Sequence, residues 1–178
     1  HTEFLGETFE EIAREKGGIL KRKIPVVIGE RNGKTEDVFK EIAFKNESKI
    51  TFASNYKNDF DNLIDISYQK KNVKTVLTSL KFLSFFNINK NDIERGLKKV
   101  ESNTGFIGRW QLLKNKPKVI LDVSHNYEGF KNLIQQIENE NFKKLIFVMG
   151  FVRGRNIKEI FSILPEKAQY YLSQPNIE

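Results

Sequence analysis

The chain has 178 residues, enough for one ordinary domain or two small ones, and its 39% hydrophobic and 12% aromatic residues can supply a buried core. No apolar run approaches the roughly 20 residues that a membrane-spanning helix needs, so we expect no membrane partner. The absence of cysteine excludes a disulfide framework, a thiolate metal site and a cysteine nucleophile, and it is compatible with a cytoplasmic protein.

The net charge of +7 raises the question of nucleic-acid binding, because basic faces neutralise phosphates. The lysines, however, are scattered along the chain and have acidic neighbours, as in Lys40-Glu41 and Lys158-Glu159, which is typical of solvated surfaces. A basic protein that binds anionic small molecules shows the same pattern. We therefore expect small-molecule partners and no nucleic acid.

Helical and strand patterns alternate through the first half of the chain. Thr8 and Glu11 have the spacing of a capping box, which marks the start of the first helix. Apolar residues at helical spacing predict helices at 8–14, 35–45, 72–86 and 93–100. Asn91 and Asp92 are placed to cap the last of these helices. Apolar and alternating runs predict strands at 24–28, 49–53 and 60–68.

The segment Ser102–Gly105 is small, polar and helix-breaking, so we expect the boundary between two domains there. After it, runs at 109–113 and 118–123 predict a hairpin. The elements that follow are predicted as a helix at 128–138, a strand at 145–149, a helix at 157–164 and a strand at 168–172. This alternation predicts an α/β fold with a parallel, doubly wound sheet.

The stretch Gly29–Thr35 has the composition of a phosphate-binding loop and lies between a predicted strand and a predicted helix. It has three residues between its glycines, where the motif requires four. We interpret it as a polar turn in which Thr35 caps the next helix.

His1, followed by Glu3, and Lys16, preceded by Glu15, form a second candidate site. Neutral histidine and carboxylates bind metals, and a lysine beside a metal can be neutral or chemically modified. A histidine at a chain end can equally belong to a tag or to a disordered terminus, and position alone does not decide between these interpretations.

A third candidate site follows the apolar run Val119–Leu121, where Asp122, His125 and Asn126 come just after a predicted buried strand. Polar side chains at the carboxyl end of a strand in an open α/β sheet lie where ligands bind. Asp122 can accept from a ribose hydroxyl, and Arg109 offers a bidentate fork for phosphate. The alternative is a strand that ends in an Asx turn, for which Asp and Asn are common.

Five ordered motifs make the chain resemble folylpolyglutamate synthase/dihydrofolate synthase, a family of the Mur ligase superfamily. The motifs extend over essentially the whole chain and are His1-Thr2-Glu3-Phe4-Leu5-Gly6, Ile12-Ala13-Arg14-Glu15-Lys16-Gly17-Gly18-Ile19, Gly108-Arg109-Trp110-Gln111, Asp122-Val123-Ser124-His125-Asn126 and Phe147-Val148-Met149-Gly150.

The resemblance implies an α/β chain that contains the later part of a Mur ligase central ATPase domain, residues 1–104, followed by a truncated C-terminal Rossmann-like domain, residues 105–178. The family's glycine-rich phosphate loop lies upstream of the residue that matches His1. We therefore expect a fragment of a longer protein, and we do not expect Gly29–Thr35 to replace that loop.

The resemblance also implies roles for individual residues. His1 matches a magnesium ligand, and Lys16 matches a lysine that is carbamylated, which would make it an anionic oxygen ligand. Asn72 matches a contact to adenine, Arg109 a contact to phosphate and Asp122 a contact to ribose. His125 matches a histidine close to the nucleotide, so Lys16 and His125 are the candidate catalytic residues, with ATP and Mg²⁺ as cofactors.

The activity that the resemblance implies is ATP-dependent ligation of L-glutamate to dihydropteroate or a tetrahydrofolate through an acyl phosphate, by an enzyme that is monomeric at full length. An isolated fragment is expected to be inactive. Two alternatives stay open: another Mur-type amino-acid ligase of cell-wall synthesis, and a non-catalytic nucleotide- or nucleic-acid-binding module.

Some positions depart from the family pattern. Alanine is usual where Gly17 and Ser124 stand, and proline where Tyr127 stands. In the segment Arg153–Asn156 two acidic residues of relatives are replaced by Gly154 and Asn156. We therefore expect no role for carboxylates there, and Asn156 can still cap the next helix.

Overall fold

The computed structural model describes residues 6–57, 60, 66–152 and 157–174. The chain divides into two compact units, His1–Lys98 and Lys99–Glu178, so the division falls a few residues before the predicted boundary. None of the helices in the described ranges is long and apolar enough to span a membrane.

The first unit begins with helix α1 (Phe9–Gly17), strand β1 (Val26–Ile28), helix α2 (Gly33–Lys45) and strand β2 (Ile50–Phe52). Strands β1 and β2 pair in parallel, as expected for strands joined by a helix. The predicted capping box at the start of α1 is present. Helices α1 and α2 pack closely, because Gly17 is buried with no side chain to separate it from Ile42.

The rest of the first unit contains helices α3 (Ser67–Leu80) and α4 (Lys90–Lys98), after a short 3₁₀ turn at Ala53–Asn55. Phe60, Val73 and Leu77 form its small buried cluster. Most of the strand predicted at 60–68 lies outside the described residues. The predicted end of this strand is wrong, because residues 67 and 68 are the first residues of α3.

The limits of α3 and α4 also differ from prediction. Helix α3 ends at Leu80, where a continuation to residue 86 was predicted, and hydrogen-bonded turns replace its last part. Asn91 and Asp92 do not cap α4 as predicted, because the helix already begins at Lys90 and both residues lie in its first turn. Asn89 precedes it, and the backbone N–H groups of Asn89 and Asp92 each donate to the other's side chain at 3.1 Å.

The second unit opens with helix α5 (Val100–Thr104), which Gly105 ends in a left-handed conformation. The predicted helix-breaking segment is therefore helical up to its last residue. The predicted hairpin follows as antiparallel strands β3 (Gln111–Asn115) and β4 (Lys118–Leu121), with a register shift between Leu112 and Lys114.

After the hairpin come helix α6 (Tyr127–Glu138), strand β5 (Ile146–Gly150), helix α7 (Ile157–Phe161) and strand β6 (Gln169–Ser173). Strands β5 and β6 pair in parallel. Side chains of α6, β5 and α7 form the buried core of this unit, which consists of Phe130, Leu133, Phe147, Met149 and Ile160.

The strands of the described ranges form three two-stranded sheets, and β4 pairs with β3 and not with β5. A continuous doubly wound sheet, as predicted from the alternation of elements, is therefore not formed by these strands. The α/β character and the parallel strand–helix–strand unit from β5 to β6 agree with the prediction.

Candidate functional site

Asp122 directly follows the last residue of β4 and is half-buried. Its Oδ1 accepts hydrogen bonds from the backbone N–H and the hydroxyl of Ser124, at 2.9 and 2.6 Å. Its Oδ2 accepts the backbone N–H of Trp110 at 2.8 Å. The bond to the Ser124 N–H forms an Asx turn, which the sequence analysis gave as the alternative to a ligand site. A ribose hydroxyl would have to share these carboxylate oxygens with donors from the protein.

The loop Gly108–Trp110 lies against the end of β4. Both of its outer residues have positive φ angles, +85° at Gly108 and +50° at Trp110. The backbone N–H of Val123 donates to the carbonyl of Gly108 at 2.9 Å, and the Gly108 N–H donates to Oε1 of Gln111 at 3.1 Å. The Val123–Gly108 bond and the Trp110–Asp122 bond therefore attach both ends of the loop to the end of β4.

Arg109 is the central residue of this loop, and its side chain is exposed. Within the described ranges it makes no ion pair or side-chain hydrogen bond, while the half-buried Trp110 next to it packs against the core cluster that includes Phe130 and Phe147. The backbone of Arg109 is thus fixed by its neighbours, and its guanidinium is available to an anion.

His125 and Asn126 connect Asp122 to α6. Nδ1 of the exposed His125 lies 3.0 Å from the carbonyl oxygen of Val123. Because a carbonyl only accepts, Nδ1 carries the proton, and in the neutral ring Nε2 is an acceptor. Asn126 is the N-cap of α6, where its Oδ1 accepts the backbone N–H of Gly129 at 2.8 Å.

The start of α6 therefore follows the Asp122 turn directly in sequence and packs against it. A helix N-terminus attracts anions through its unpaired N–H groups and its dipole. Gly129 permits the close packing here, because a β-carbon on it would lie 3.0 Å from Oδ1 of Asn126 and 3.3 Å from Ser124. The Arg109 loop, Asp122 and the start of α6 are thus linked by hydrogen bonds and short connections.

Lys16 and Asn72 lie on different helices of the first unit. Lys16 is exposed in the last turn of α1, next to the buried Gly17. Asn72 is exposed on α3, where its Nδ2 donates to Oε1 of Gln69 at 2.9 Å. The sequence pattern predicts that the helix begins at Asn72, but it begins five residues earlier, at Ser67.

The predicted magnesium site is only partly described, since His1 lies outside the described residues. In the ranges that are described, no three His, Asp or Glu side chains come close enough together to hold a metal ion. An unmodified lysine ammonium cannot act as a ligand, so Lys16 and its described surroundings do not by themselves form a magnesium site.

Residues 29–32 form the turn between β1 and α2 that was predicted at Gly29–Thr35, and residues 33–35 already belong to α2. The cap is Asn32 and not Thr35, because Oδ1 of Asn32 accepts the backbone N–H of Lys34 at 3.0 Å. Arg31 pairs with Glu36 at 3.0 Å. The side chain of Asn32 is thus used to cap α2, and that of Arg31 to pair with a residue of the same helix.

Ser124 and Gln111 are the residues of this site to which the sequence assigned no role. Both hold the loop that carries Arg109, Gln111 directly and Ser124 through Asp122. The signal available in the sequence was local: Ser124 stands two residues after an Asp at a strand end, which is the spacing of an Asx turn.

Solved structures of known proteins have the same fold. The chain superposes on Escherichia coli FolC in complex with ADP with a TM-score of 0.78 at 22% identity, covering 97% of this chain and 44% of that one. For folylpolyglutamate synthase from Thermotoga maritima the TM-score is 0.74 at 24% identity, covering 94% and 44%. The predicted α/β fold class is confirmed.

Curated relatives are similar over nearly the whole chain, although no protein-family model matches it. The chain is 28% identical to dihydrofolate synthase/folylpolyglutamate synthase from Haemophilus influenzae, covering 92% of this chain and 44% of the relative. The corresponding enzyme of Buchnera aphidicola from Schizaphis graminum is also 28% identical, covering 96% and 43%. The predicted resemblance is confirmed, and the chain spans less than half the length of these relatives.

Proposed function

We propose that this chain is part of an ATP-dependent ligase that joins L-glutamate to dihydropteroate or to a tetrahydrofolate. The proposal is supported by the similarity to dihydrofolate synthase/folylpolyglutamate synthases over more than nine-tenths of the chain. A solved structure with this fold is described as a complex with DHPP and ADP. The cytoplasmic location and the monomeric state of the full-length enzyme stay predictions.

The observation that carries the proposal is the attachment of the Arg109 loop to the Asp122 turn, beside the start of α6. This arrangement brings the backbone of the Arg109 loop next to the carboxylate of Asp122, and His125 follows three residues further along the chain. We assign phosphate binding to Arg109 and ribose binding to Asp122. Asn72 on the first unit is assigned to adenine.

The chemistry has two steps. A carboxylate oxygen of the pterin substrate attacks the γ-phosphorus of ATP, giving an acyl phosphate and ADP. The amino group of glutamate then attacks the acyl carbon, the amide bond forms, phosphate leaves and the amine gives up a proton. The positive charge of Arg109 offsets charge on the transferring phosphoryl group. His125, when protonated, can donate from Nε2 to a phosphate oxygen.

Magnesium, when bound to such an enzyme, offsets phosphate charge and orients the nucleotide. Because the described residues do not form a magnesium site, we derive no step through the metal. His1 and a carbamylated Lys16 stay its predicted ligands, and Lys16 stays a candidate catalytic residue in that modified form.

Carbamylation of Lys16 can be tested apart from activity. The full-length protein is incubated with ¹³C-bicarbonate, and the carbamate carbon is observed by NMR, with Lys16→Arg as the variant and Lys21→Arg as the matched control. A carbamate signal that is present in the control and absent in Lys16→Arg supports the assignment. A bare amine in the unsubstituted protein contradicts it.

The proposed substrates are tested by offering the full-length protein ATP and glutamate with dihydropteroate, a tetrahydrofolate or a UDP-muramyl acceptor. ADP formation only with a pterin acceptor supports the proposal. Activity with the muramyl acceptor identifies a cell-wall ligase instead. Salt-sensitive binding to RNA or DNA without nucleotide binding would identify a non-catalytic module.

A further inference from the structure

Ser124 gives the Asp122 carboxylate two of the three hydrogen bonds described above. Its backbone N–H and its hydroxyl converge on the same oxygen, Oδ1, at 2.9 and 2.6 Å. Charge-assisted hydrogen bonds of this kind are short and about twice as strong as neutral ones. The hydroxyl, together with the N–H, therefore restricts the rotation of the carboxylate group, and with it the direction of Oδ2.

The direction of Oδ2 determines whether the Arg109 loop is held. Oδ2 accepts the backbone N–H of Trp110, the residue after Arg109. Trp110 has a φ of +50°, which is costly for a residue with a side chain and persists only where its surroundings enforce it. The bond to Oδ2 holds the backbone on the C-terminal side of Arg109, while the Trp110 side chain packs against the core.

From these contacts we infer that Ser124 is a positioning residue for nucleotide binding: its hydroxyl orients Asp122, and Asp122 holds the loop that presents Arg109. This inference rests on the proposed function, because Arg109 is taken to bind the phosphates. It assigns to Ser124 no contact with the nucleotide. Its effect is transmitted through one side chain and one backbone hydrogen bond.

The loop contains its own spectroscopic probe, Trp110, the only tryptophan among these 178 residues. Any tryptophan elsewhere in the full-length protein is replaced by phenylalanine, so that the fluorescence reports on Trp110. Trp110 is half-buried against the core of the second unit. If the hydroxyl of Ser124 is lost, Trp110 should leave this position more often. Its fluorescence then becomes easier to quench with acrylamide, whether or not a nucleotide is present.

The experiment compares Ser124→Ala and Ser124→Thr in the full-length protein, with Ser162→Ala as the matched control. The Ser162 hydroxyl donates to a backbone carbonyl, that of Glu159, at 2.7 Å and has no bond to the Arg109 loop. Quenching of Trp110 and the Kd for ATP are measured for each variant. Arg109→Ala is combined with Ser124→Ala to complete a double-mutant cycle.

We expect Ser124→Ala to increase quenching of Trp110 and to weaken ATP binding about 10-fold, the lower end for a lost hydrogen bond to a charged group. Ser124→Thr, which keeps the hydroxyl, should restore both quantities, and Ser162→Ala should change neither. In the Arg109→Ala background the loss of the Ser124 hydroxyl should weaken ATP binding by less than about 2-fold, because it acts through Arg109.

Three results would overturn the inference: unchanged quenching in Ser124→Ala, changed quenching with an unchanged Kd, or full additivity with Arg109→Ala. Failure of the proposed function is distinguishable from these, because the unsubstituted protein would then not bind ATP. In that case the quenching of Trp110 alone decides whether Ser124 holds the loop, and unchanged quenching again overturns it.

Discussion

Gly108 and Val123 lie so close together that a β-carbon on Gly108 would be 2.4 Å from Cγ1 of Val123. Gly108 also has a φ of +85°, a conformation that residues with a β-carbon rarely adopt. We expect Gly108→Ala to lower the free energy of unfolding by about 2–4 kcal/mol, the sum of backbone strain and overpacking. This loss is measured from the urea-induced unfolding transition of the second unit.

Gly105 is the matched control, because it has a φ of +65° but no atom within 4 Å of the position of a β-carbon. Gly105→Ala should therefore cost only the backbone strain, about 1–2 kcal/mol. Val123→Ala should recover part of the loss in a Gly108→Ala background. Equal losses for the two glycine variants would show that the contact with Val123 has no energetic importance.

Asp122 and Arg109 should separate stability from binding. Asp122→Asn replaces an acceptor oxygen by an NH₂ group that cannot accept from Trp110 or Ser124, so we expect a loss of about 1–3 kcal/mol in stability as well as weaker ATP binding. Arg109→Ala changes an exposed side chain, so it should weaken ATP binding and leave the free energy of unfolding within about 0.5 kcal/mol of the unsubstituted protein.

Calorimetric titration with ATP and urea denaturation of the same samples give both quantities. The assignment of Asp122 as the residue that holds the loop is contradicted if Asp122→Asn is as stable as the unsubstituted protein. The assignment of Arg109 to the phosphates is contradicted if Arg109→Ala binds ATP normally.

The N-cap of α6 should contribute to the stability of the site. Asn126→Ala removes the acceptor for the Gly129 N–H, and a lost N-cap costs about 1 kcal/mol. Asn139→Ala, at the other end of the same helix, is the control, since its Nδ2 donates to the carbonyl of Gln135 at 2.9 Å. Hydrogen exchange in the first turn of α6 should accelerate in the Asn126 variant and not in the Asn139 variant.

Helix α1, which carries Lys16, should depend on pH through Glu11. Hydrogen bonds from the backbone of Thr8 and of Glu7 hold the pKa of Glu11 below its ordinary value. A lowered pKa in the folded state means that the stabilisation is present above the unfolded pKa of about 4.3 and is lost as pH falls through the lower, folded pKa.

Thermal unfolding between about pH 6 and pH 3 tests this, since the window must span the ordinary pKa of glutamate. Glu11→Gln should be less stable than the unsubstituted protein near pH 6, and the two curves should converge on the acidic side. Parallel curves for Glu11→Gln would show that its carboxylate does not stabilise the helix.

The features that the sequence predicted correctly depend on short stretches of chain. The capping box of Thr8 and Glu11 involves residues three apart, and the hairpin of β3 and β4 involves strands that are adjacent in sequence. The position of Asp122 at a strand end follows from the apolar run before it. Local interactions of this kind can be predicted from the sequence without knowledge of the tertiary structure.

The failures have physical causes beyond the local pattern. At residues 67 and 68 helix α3 begins where the end of a strand was predicted. Over so few residues the spacing of apolar side chains does not distinguish a strand from a helix. The cap of α2 was assigned to Thr35, but Asn32 is as good a cap and comes one turn earlier.

The role of Ser124 could not be predicted either. Its spacing to Asp122 indicates a turn, but the consequence for Arg109 depends on the bond between Asp122 and Trp110, which are twelve residues apart and meet only because β3 and β4 form a hairpin. The sequence identified the candidate residues of the site and not the contacts that hold them.

The most direct test of the account follows oxygen atoms through the reaction of the full-length protein. The pterin substrate is labelled with ¹⁸O in its carboxylate and supplied with ATP and glutamate. Ligation through an acyl phosphate predicts glutamate incorporation matched by ADP, with one ¹⁸O from the carboxylate found in the phosphate released. Glutamate incorporation without ¹⁸O in phosphate, or ATP binding with no ligation to any pterin acceptor, would contradict it.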